Sequence, residues 1–195
     1  MTPTRPPHAE FRVFLPGLLP HLQKRLPEMV LATKPTHETT QDLYILSNQD
    51  HVHNVKIRQD HLKMKKWLGQ TPEGFDIYQP YNKFAFPVSQ SHVKEILSAL
   101  GLTIPLEASC YDKETFLALL ETHDTLRTRQ VLKTRHKFML DGTMCEYAAI
   151  QLENRTIDSF CCESTDPKAV AKVIHQLGLT FALNTNVSTL SGCIE

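Results

Sequence analysis

The chain has 195 residues, of which 41% are hydrophobic, so it holds enough apolar surface for one domain with a substantial core. Its 21 lysine and arginine residues balance 21 aspartate and glutamate residues, which leaves no general attraction to nucleic acid or to a membrane surface. No run of about 18 apolar residues is present, and the segment MTPTRPPHAE has no apolar stretch of the signal-peptide type, so we expect a soluble, cytoplasmic protein with one domain spanning residues 1–195.

The first half of the chain shows the alternating pattern of β-strands. The first strand is EFRVFL (10–15), with one apolar face and one face that carries Glu10, Arg12 and Phe14. GLLPHLQKRL (17–26) predicts a short helix, and the segment framed by Pro27 and Pro35 has no assignment. Further strands are predicted at DLYILS (42–47), HNVKIRQ (53–59) and HLKMKKWLG (61–69), and one or two edge strands in FDIYQPYNKFAFPV (75–88).

Three helices and three more strands follow. Each helix has a start signal: Ser89 or Ser91 for residues 89–102, Asp112 for residues 112–123, and Asp166 followed by a proline for residues 166–179. Between the last two helices lie strand candidates at RTRQVLKTRHKFML (127–140), MCEYAAIQL (144–152) and TIDSFCCES (156–164), joined by turns at Asp141-Gly142 and near Asn154.

An offset of 77 residues relates the two halves of the chain. At this offset the helix ending in SALGL aligns with the helix ending in HQLGL. Lys56 and Arg58 align with Lys133 and Arg135. Amphipathic helices also resemble each other by chance, so a shared origin and coincidence both stay open. A genuine repeat predicts two similar strand-and-helix halves that face each other.

The polar faces of the predicted strands are strongly basic. They hold only three comparable acids, Glu10, Glu146 and Glu163. They hold ten of the 21 basic residues: Arg12, Lys56, Arg58, Lys63, Lys65, Arg127, Arg129, Lys133, Arg135 and Lys137. Lysines on a solvated sheet face that suppress edge pairing are one explanation. A solvated face mixes both signs, however, so a concave sheet that binds several phosphates explains the whole set better.

The chain resembles the CYTH superfamily, the triphosphate tunnel metalloenzymes that include thiamine triphosphatases, class IV adenylate cyclases and inorganic triphosphatases. The resemblance covers residues 10–179 and leaves a tail at 180–195. It rests on the acidic first strand and on the segments VKIRQDHLKMKKW, KTRHKF, CEYAAIQL and DSFCCESTDPKAVAKVIHQLGL. It implies an α+β fold, in which eight antiparallel strands in two similar halves form a tunnel with helices packed outside.

The resemblance also implies roles for individual residues. Glu10, Glu146 and Glu163 would hold a divalent metal, Mg²⁺ or Mn²⁺, with Glu146 and Glu163 as the catalytic acids. The substrate would be a phosphorylated small molecule or polyphosphate. The side chains that would contact its phosphate groups are Arg12, Lys56, Arg58, Lys63, Lys65, Arg135 and Lys137.

The opening strand departs from the family pattern. The family has Glu-x-Glu-x-Lys, whereas this chain has Glu10-x-Arg12-x-Phe14. An arginine beside Glu10 would pair with it rather than share a metal, because a guanidinium repels a divalent ion. Three hypotheses therefore stand: a divergent metal-dependent triphosphatase, an inactive tunnel that binds or regulates, and a basic sheet that binds nucleic acid.

Histidines and cysteines offer rival sites. His51, His53 and His61 could converge on zinc, although solvated histidines at strand ends explain them better. The five cysteines, an odd number without CxxC spacing, predict reduced thiols. Adjacent Cys161 and Cys162 would lie on opposite faces of one strand, one lining the tunnel and the other in the core.

Overall fold

The computed structural model describes residues 6–26, 36–50, 52–80, 83–152, 155–180 and 184–185. The described residues form four α-helices: α1 (Leu18–Gln23), α2 (Gln90–Ala99), α3 (Lys113–Glu121) and α4 (Pro167–Gln176). They also form eleven β-strands: β1 (His8–Leu15), β2 (Thr36–Ser47), β3 (Asn54–Arg58), β4 (His61–Gln70), β5 (Asp76–Pro80), β6 (Phe84–Ala85), β7 (Val88–Ser89), β8 (Cys110–Tyr111), β9 (Leu126–Leu140), β10 (Thr143–Leu152) and β11 (Arg155–Ser164).

Eight of these strands close into a ring. Their order is β3-β2-β9-β10-β11-β1-β5-β4, and β3 pairs with β4 to complete the circle. Every pairing in the ring is antiparallel. The predicted α+β fold, an eight-stranded antiparallel tunnel with helices outside, is confirmed.

The alternation of β1 shows why the ring has a polar interior. Phe11 and Val13 are buried outside the ring against helices, whereas Glu10 and Arg12 point inward. The same two-residue period holds on β11, where Cys161 lines the interior and Cys162 lies in the outer core, as the sequence predicts.

One strand boundary is wrong, and one strand prediction is confirmed only in part. β2 begins at Thr36 rather than residue 42, because the segment THETTQ has one face toward a polar interior and one toward solvent and so lacks an apolar alternation. The segment 75–88 contains an edge strand, β6, which among the described strands pairs only with β4, but β5 is not an edge strand, because β1 and β4 pair with it on its two sides. Pro80 is tolerated as the last residue of β5, where the ladder ends.

The helix start signals are confirmed. The side chain of Ser89 accepts a hydrogen bond from the backbone nitrogen of His92, and Asp112 and Asp166 cap α3 and α4 in the same manner. Helices α2 and α4 each have ten residues and begin 77 positions apart. No helix in the described part of the chain is both long and apolar enough to cross a membrane.

The helices cover the ring in two groups. α1 and α4 pack on β1, β10 and β11, whereas α2 and α3 pack on β2, β3 and β4, so the sheet has one hydrophobic core on each of two walls. The two helices related by the offset therefore lie on different walls. Strands β3 and β9, which carry the matching basic pairs, flank β2 on its two sides.

Part of the C-terminal tail completes the wall beside β1. Strand β5 pairs with β1 only from His8 to Glu10. Beyond that point the backbone nitrogen of Arg12 donates to the Asn184 side chain at 3.0 Å, and the nitrogen of Thr185 donates to the Arg12 carbonyl at 2.7 Å. The tail thus satisfies backbone groups of β1 that have no strand partner.

Candidate functional site

The ring encloses a cavity of about 390 Å³ with a strongly basic lining. The seven residues predicted to contact phosphate all line it, although they come from four different strands. Its lysine and arginine side chains are Arg12, Lys56, Arg58, Lys63, Lys65, Lys83, Lys133, Arg135 and Lys137. Two members of the basic set in the sequence, Arg127 and Arg129, are not part of this lining.

The reason for that exclusion is an apolar layer inside the ring, which we call the floor. It consists of Phe14, Tyr44, Val131, Ala148, Ile150 and Ile157. All six are buried, and they follow the charged inward positions toward one end of the ring. Arg127 and Arg129 precede Val131 on β9, so they lie past the floor. The floor therefore bounds the basic cavity on this side.

The first of three ion-pair groups joins β1, β4 and β11. Glu10 receives a hydrogen bond from the Arg12 Nε at 2.9 Å and one from the Lys65 Nζ at 2.7 Å. The same Lys65 ammonium donates to Glu163 at 2.7 Å. Burial raises the pKa of Glu10, but the adjacent Lys65 and Arg12 outweigh it and hold that pKa well below its usual range.

The second group links β2 to β3. The Asp42 carboxylate is completely buried and accepts two hydrogen bonds from the Arg58 guanidinium, with the Lys56 Nζ 3.3 Å away. Burial lowers the pKa of the Lys56 ammonium, Asp42 offsets this only in part, and the neighbouring cations lower the pKa further, to about 8. Lys56 therefore begins to lose its charge just above neutral pH.

The third group lies on β2, β9 and β10. Glu146 accepts hydrogen bonds from Lys133 and Arg135, both at 3.1 Å, and Glu38 accepts from Arg135 at 2.5 Å and from Lys137 at 3.0 Å. Burial raises the pKa of Glu146, but Lys133 and the arginines nearby more than compensate and bring it to about 2. Both carboxylates are ionised at neutral pH.

Sequence reasoning missed two residues of these groups and left a third out of the phosphate-contacting set. Asp42 is the first residue of the predicted strand DLYILS and lies two positions before Tyr44. Alternation therefore places both side chains on the same face of the strand, so the sequence could have identified Asp42. Lys133 was in the basic set and is the offset match of Lys56. Glu38 lies in THETTQ, which carries no strand signal, so nothing in the sequence placed it here.

The carboxylates predicted to hold a metal do not fit that role as they are arranged. Glu10 and Glu163 are bridged by Lys65, whereas Glu146 is held separately by Lys133 and Arg135. Within the described ranges no three carboxylate, histidine or cysteine side chains come together as a metal site. The expectation of Mg²⁺ or Mn²⁺ stays a prediction.

The histidines predicted as a zinc alternative are engaged elsewhere. The Nδ1 atom of His53 lies 2.7 Å from an Asp50 oxygen, and the Nδ1 atom of His61 lies 2.6 Å from the Gln59 carbonyl oxygen. His51 lies outside the described residues. Cys161 and Cys162 are free thiols, and burial raises the pKa of both, so neither is an activated nucleophile.

Comparisons with known proteins establish the fold. No protein-family model and no curated protein matches the sequence. A putative adenylate cyclase from Bacillus halodurans is similar in structure, with a TM-score of 0.53, 8% identity, and coverage of 94% of this chain and 96% of that chain. A conserved hypothetical protein from Pyrococcus furiosus has a TM-score of 0.51 at 14% identity, covering 91% of this chain and 94% of its own.

A protein from Pyrococcus horikoshii is similar to the same degree, with a TM-score of 0.51, 13% identity, and coverage of 95% of this chain and 99% of its own. At such low identity these likenesses concern the fold alone. The chain has the tunnel fold of CYTH-type proteins.

Proposed function

We propose that the chain binds a tri- or polyphosphate-containing anion inside the tunnel cavity. The observation that carries this proposal is the excess of positive charge. Nine lysine and arginine side chains line one cavity, whereas five carboxylates pair with them. A concave surface with this excess repels itself, and a bound polyanion removes the repulsion.

The chemistry of the lining suits phosphate groups. Guanidinium groups suit phosphate because they donate parallel hydrogen bonds, and lysines act as point charges. Those of Arg12, Arg58 and Arg135 already donate to tunnel carboxylates, so a phosphate would exchange with these acids. A cavity of about 390 Å³ falls within the usual size of a small-molecule site. A triphosphate group therefore matches the lining in both charge and volume.

The floor determines the orientation of the bound ligand. The buried side chains of Phe14, Val131 and Ile150 offer no hydrogen-bond donors, so phosphate cannot be solvated among them. We infer that the terminal phosphate enters first and stops at Arg12, Lys56 and Arg58. Any organic group attached to the phosphate chain then stays toward the mouth.

Metal-dependent hydrolysis by Glu163 and Glu146 is what the family resemblance implies, but the contacts of these two acids do not favour it. Both carboxylates are bonded to lysine or arginine side chains, which compete with a divalent ion for the same oxygens. We therefore favour binding without turnover, in a binding or regulatory module. Nucleic acid is disfavoured because the cations face the inside of a closed ring.

Thermal unfolding with and without tripolyphosphate tests the proposal. Saturating tripolyphosphate should raise the melting temperature, ATP should do so less, and orthophosphate least, because stabilisation follows the ligand's affinity for the folded state. No shift with any of them would refute the binding proposal. A larger shift with RNA, falling steeply with added salt, would instead favour a nucleic-acid surface.

A matched pair of variants on β4 locates the site. Lys63 lines the cavity and has no carboxylate partner among the described residues, whereas Lys66 is exposed on the opposite face of the same strand. Losing one charged contact costs about 1.5 kcal/mol, so Lys63→Met should weaken tripolyphosphate binding about tenfold. Lys66→Met should leave it unchanged.

An assay of phosphate release with Mg²⁺, Mn²⁺ or EDTA tests turnover. We expect no release from tripolyphosphate or nucleoside triphosphates under any of these conditions. Metal-dependent release that disappears in Glu163→Ala would show that the tunnel is an enzyme.

A further inference from the structure

Lys65 occupies an unusual position between two acidic strands. Glu10 and Glu163 are direct cross-strand partners on β1 and β11, an arrangement in which two like charges destabilise a sheet. The Lys65 ammonium reaches from β4 and lies 2.7 Å from an oxygen of each carboxylate. It therefore offsets the repulsion between the two acids at the point where they converge.

The other oxygen of Glu10 is also occupied. The Arg12 side chain donates to Oε1, while Lys65 binds Oε2. Glu146 cannot complete a set of ligands with Glu10 and Glu163, because Lys133 and Arg135 hold it. A divalent ion would have to displace an ammonium group and enter a cavity that already carries excess positive charge.

We propose that Lys65 is a built-in cation that replaces a divalent metal between Glu10 and Glu163, so that the tunnel binds its polyphosphate anion in the metal-free form. An ammonium has three donors, and two of them serve the carboxylates. The third is available to a phosphate oxygen, so Lys65 bridges acid and anion as a metal ion would. This inference rests on the proposed anion-binding function.

Titration of the protein with tripolyphosphate in EDTA and in excess Mg²⁺ tests this directly. The wild type should bind tripolyphosphate about fivefold or more weakly in Mg²⁺, since the magnesium complex carries less negative charge and brings a cation toward Lys65. Lys65→Met should weaken binding in EDTA by about tenfold. In this variant Mg²⁺ should strengthen binding, because Glu163 and the Oε2 atom of Glu10 have lost Lys65. An increase in wild-type affinity with Mg²⁺ would overturn the proposal.

Titration with Mn²⁺ alone, followed by electron paramagnetic resonance, separates this inference from the proposed function. The wild type should bind no Mn²⁺ at millimolar concentration, Lys65→Met should bind it, and a Lys65→Met/Glu163→Gln double variant should not. Wild-type binding of Mn²⁺ that Glu163→Gln abolishes would refute the inference even if tripolyphosphate binding is confirmed. The wild-type titration tests the inference even if a variant fails to fold. If no polyphosphate binds in any buffer, the function proposal fails instead.

Discussion

Replacing the buried carboxylate of Asp42 by an amide should have opposite effects on stability and on anion binding. Asp42 has no exposed surface and joins β2 to Arg58 and Lys56 of β3. The β2–β3 ladder covers only Leu43 to Ile45, so this ion pair continues the contact between the strands beyond the last paired residue.

The stability cost follows from leaving cations without their partner. Removing one member of a buried ion pair costs about 3–5 kcal/mol, and the partial exposure of Arg58 and Lys56 favours the lower end. A loss of about 3 kcal/mol lowers the melting temperature of a chain of this size by roughly 6–12 °C. Asp42→Asn should therefore be clearly less stable in the absence of an anion.

The gain in affinity follows from removing a repulsive charge. A negative charge about 6 Å from Asp42 is repelled by about 3 kcal/mol at an effective dielectric constant of about 20. Screening by salt leaves about half of this energy, which corresponds to about tenfold tighter binding of tripolyphosphate. The measurement belongs below pH 7, because Asp42 raises the pKa of Lys56, and its loss brings that pKa below about 8 and lowers the charge of Lys56 near neutral pH.

Thermal unfolding at increasing tripolyphosphate concentrations measures both effects at once. Asp141→Asn is the control, because Asp141 forms an exposed ion pair with Lys172 outside the tunnel. It should change stability by less than about 1 kcal/mol and leave affinity unchanged. A smaller response to tripolyphosphate in Asp42→Asn than in the wild type would refute the view that the tunnel acids oppose the anion.

Two further predictions concern pH and the floor. Because the pKa of Lys56 is about 8 and a bound anion favours its charged form, tripolyphosphate affinity should fall as pH rises above 8. Calorimetric titration across this range should show the fall in the wild type but not in Lys56→Arg, which stays charged. Phe14→Ala leaves a cavity in the floor and should cost about 3–5 kcal/mol in denaturant unfolding while tripolyphosphate still binds. A loss below about 1 kcal/mol would mean that Phe14 does not close the ring.

Local patterns in the sequence predicted the walls of the tunnel well. Alternation correctly assigned the inward faces of β1, β4 and β11, because one side of each strand packs on helices and must be apolar. The caps of α2 and α4 were predicted for an equally local reason. The closure of the ring came only from the family resemblance, since strand order depends on contacts between residues far apart in the chain.

The sequence could not predict the partners inside the ring. Glu38 pairs with Arg135 and Lys137, which lie about a hundred positions away in the chain. The floor was equally hidden, because Val131 shares a face with Lys133 and alternation gives the face of a residue but not its depth along the tunnel. For this reason Arg127 and Arg129 were wrongly grouped with the cavity cations.

The paired acids of the tunnel make anion binding an exchange of counterions. Lys133 and Arg135 already hold the oxygens of Glu146, so a ligand gains only the difference between its own contacts and those it displaces. Chloride or a single carboxylate offers nothing that Glu146 does not already provide. A chain of phosphates contacts several lysine and arginine side chains at once, and these contacts together are stronger than those of any one tunnel carboxylate. The carboxylates therefore exclude weakly bound anions and make the tunnel selective for multivalent ones.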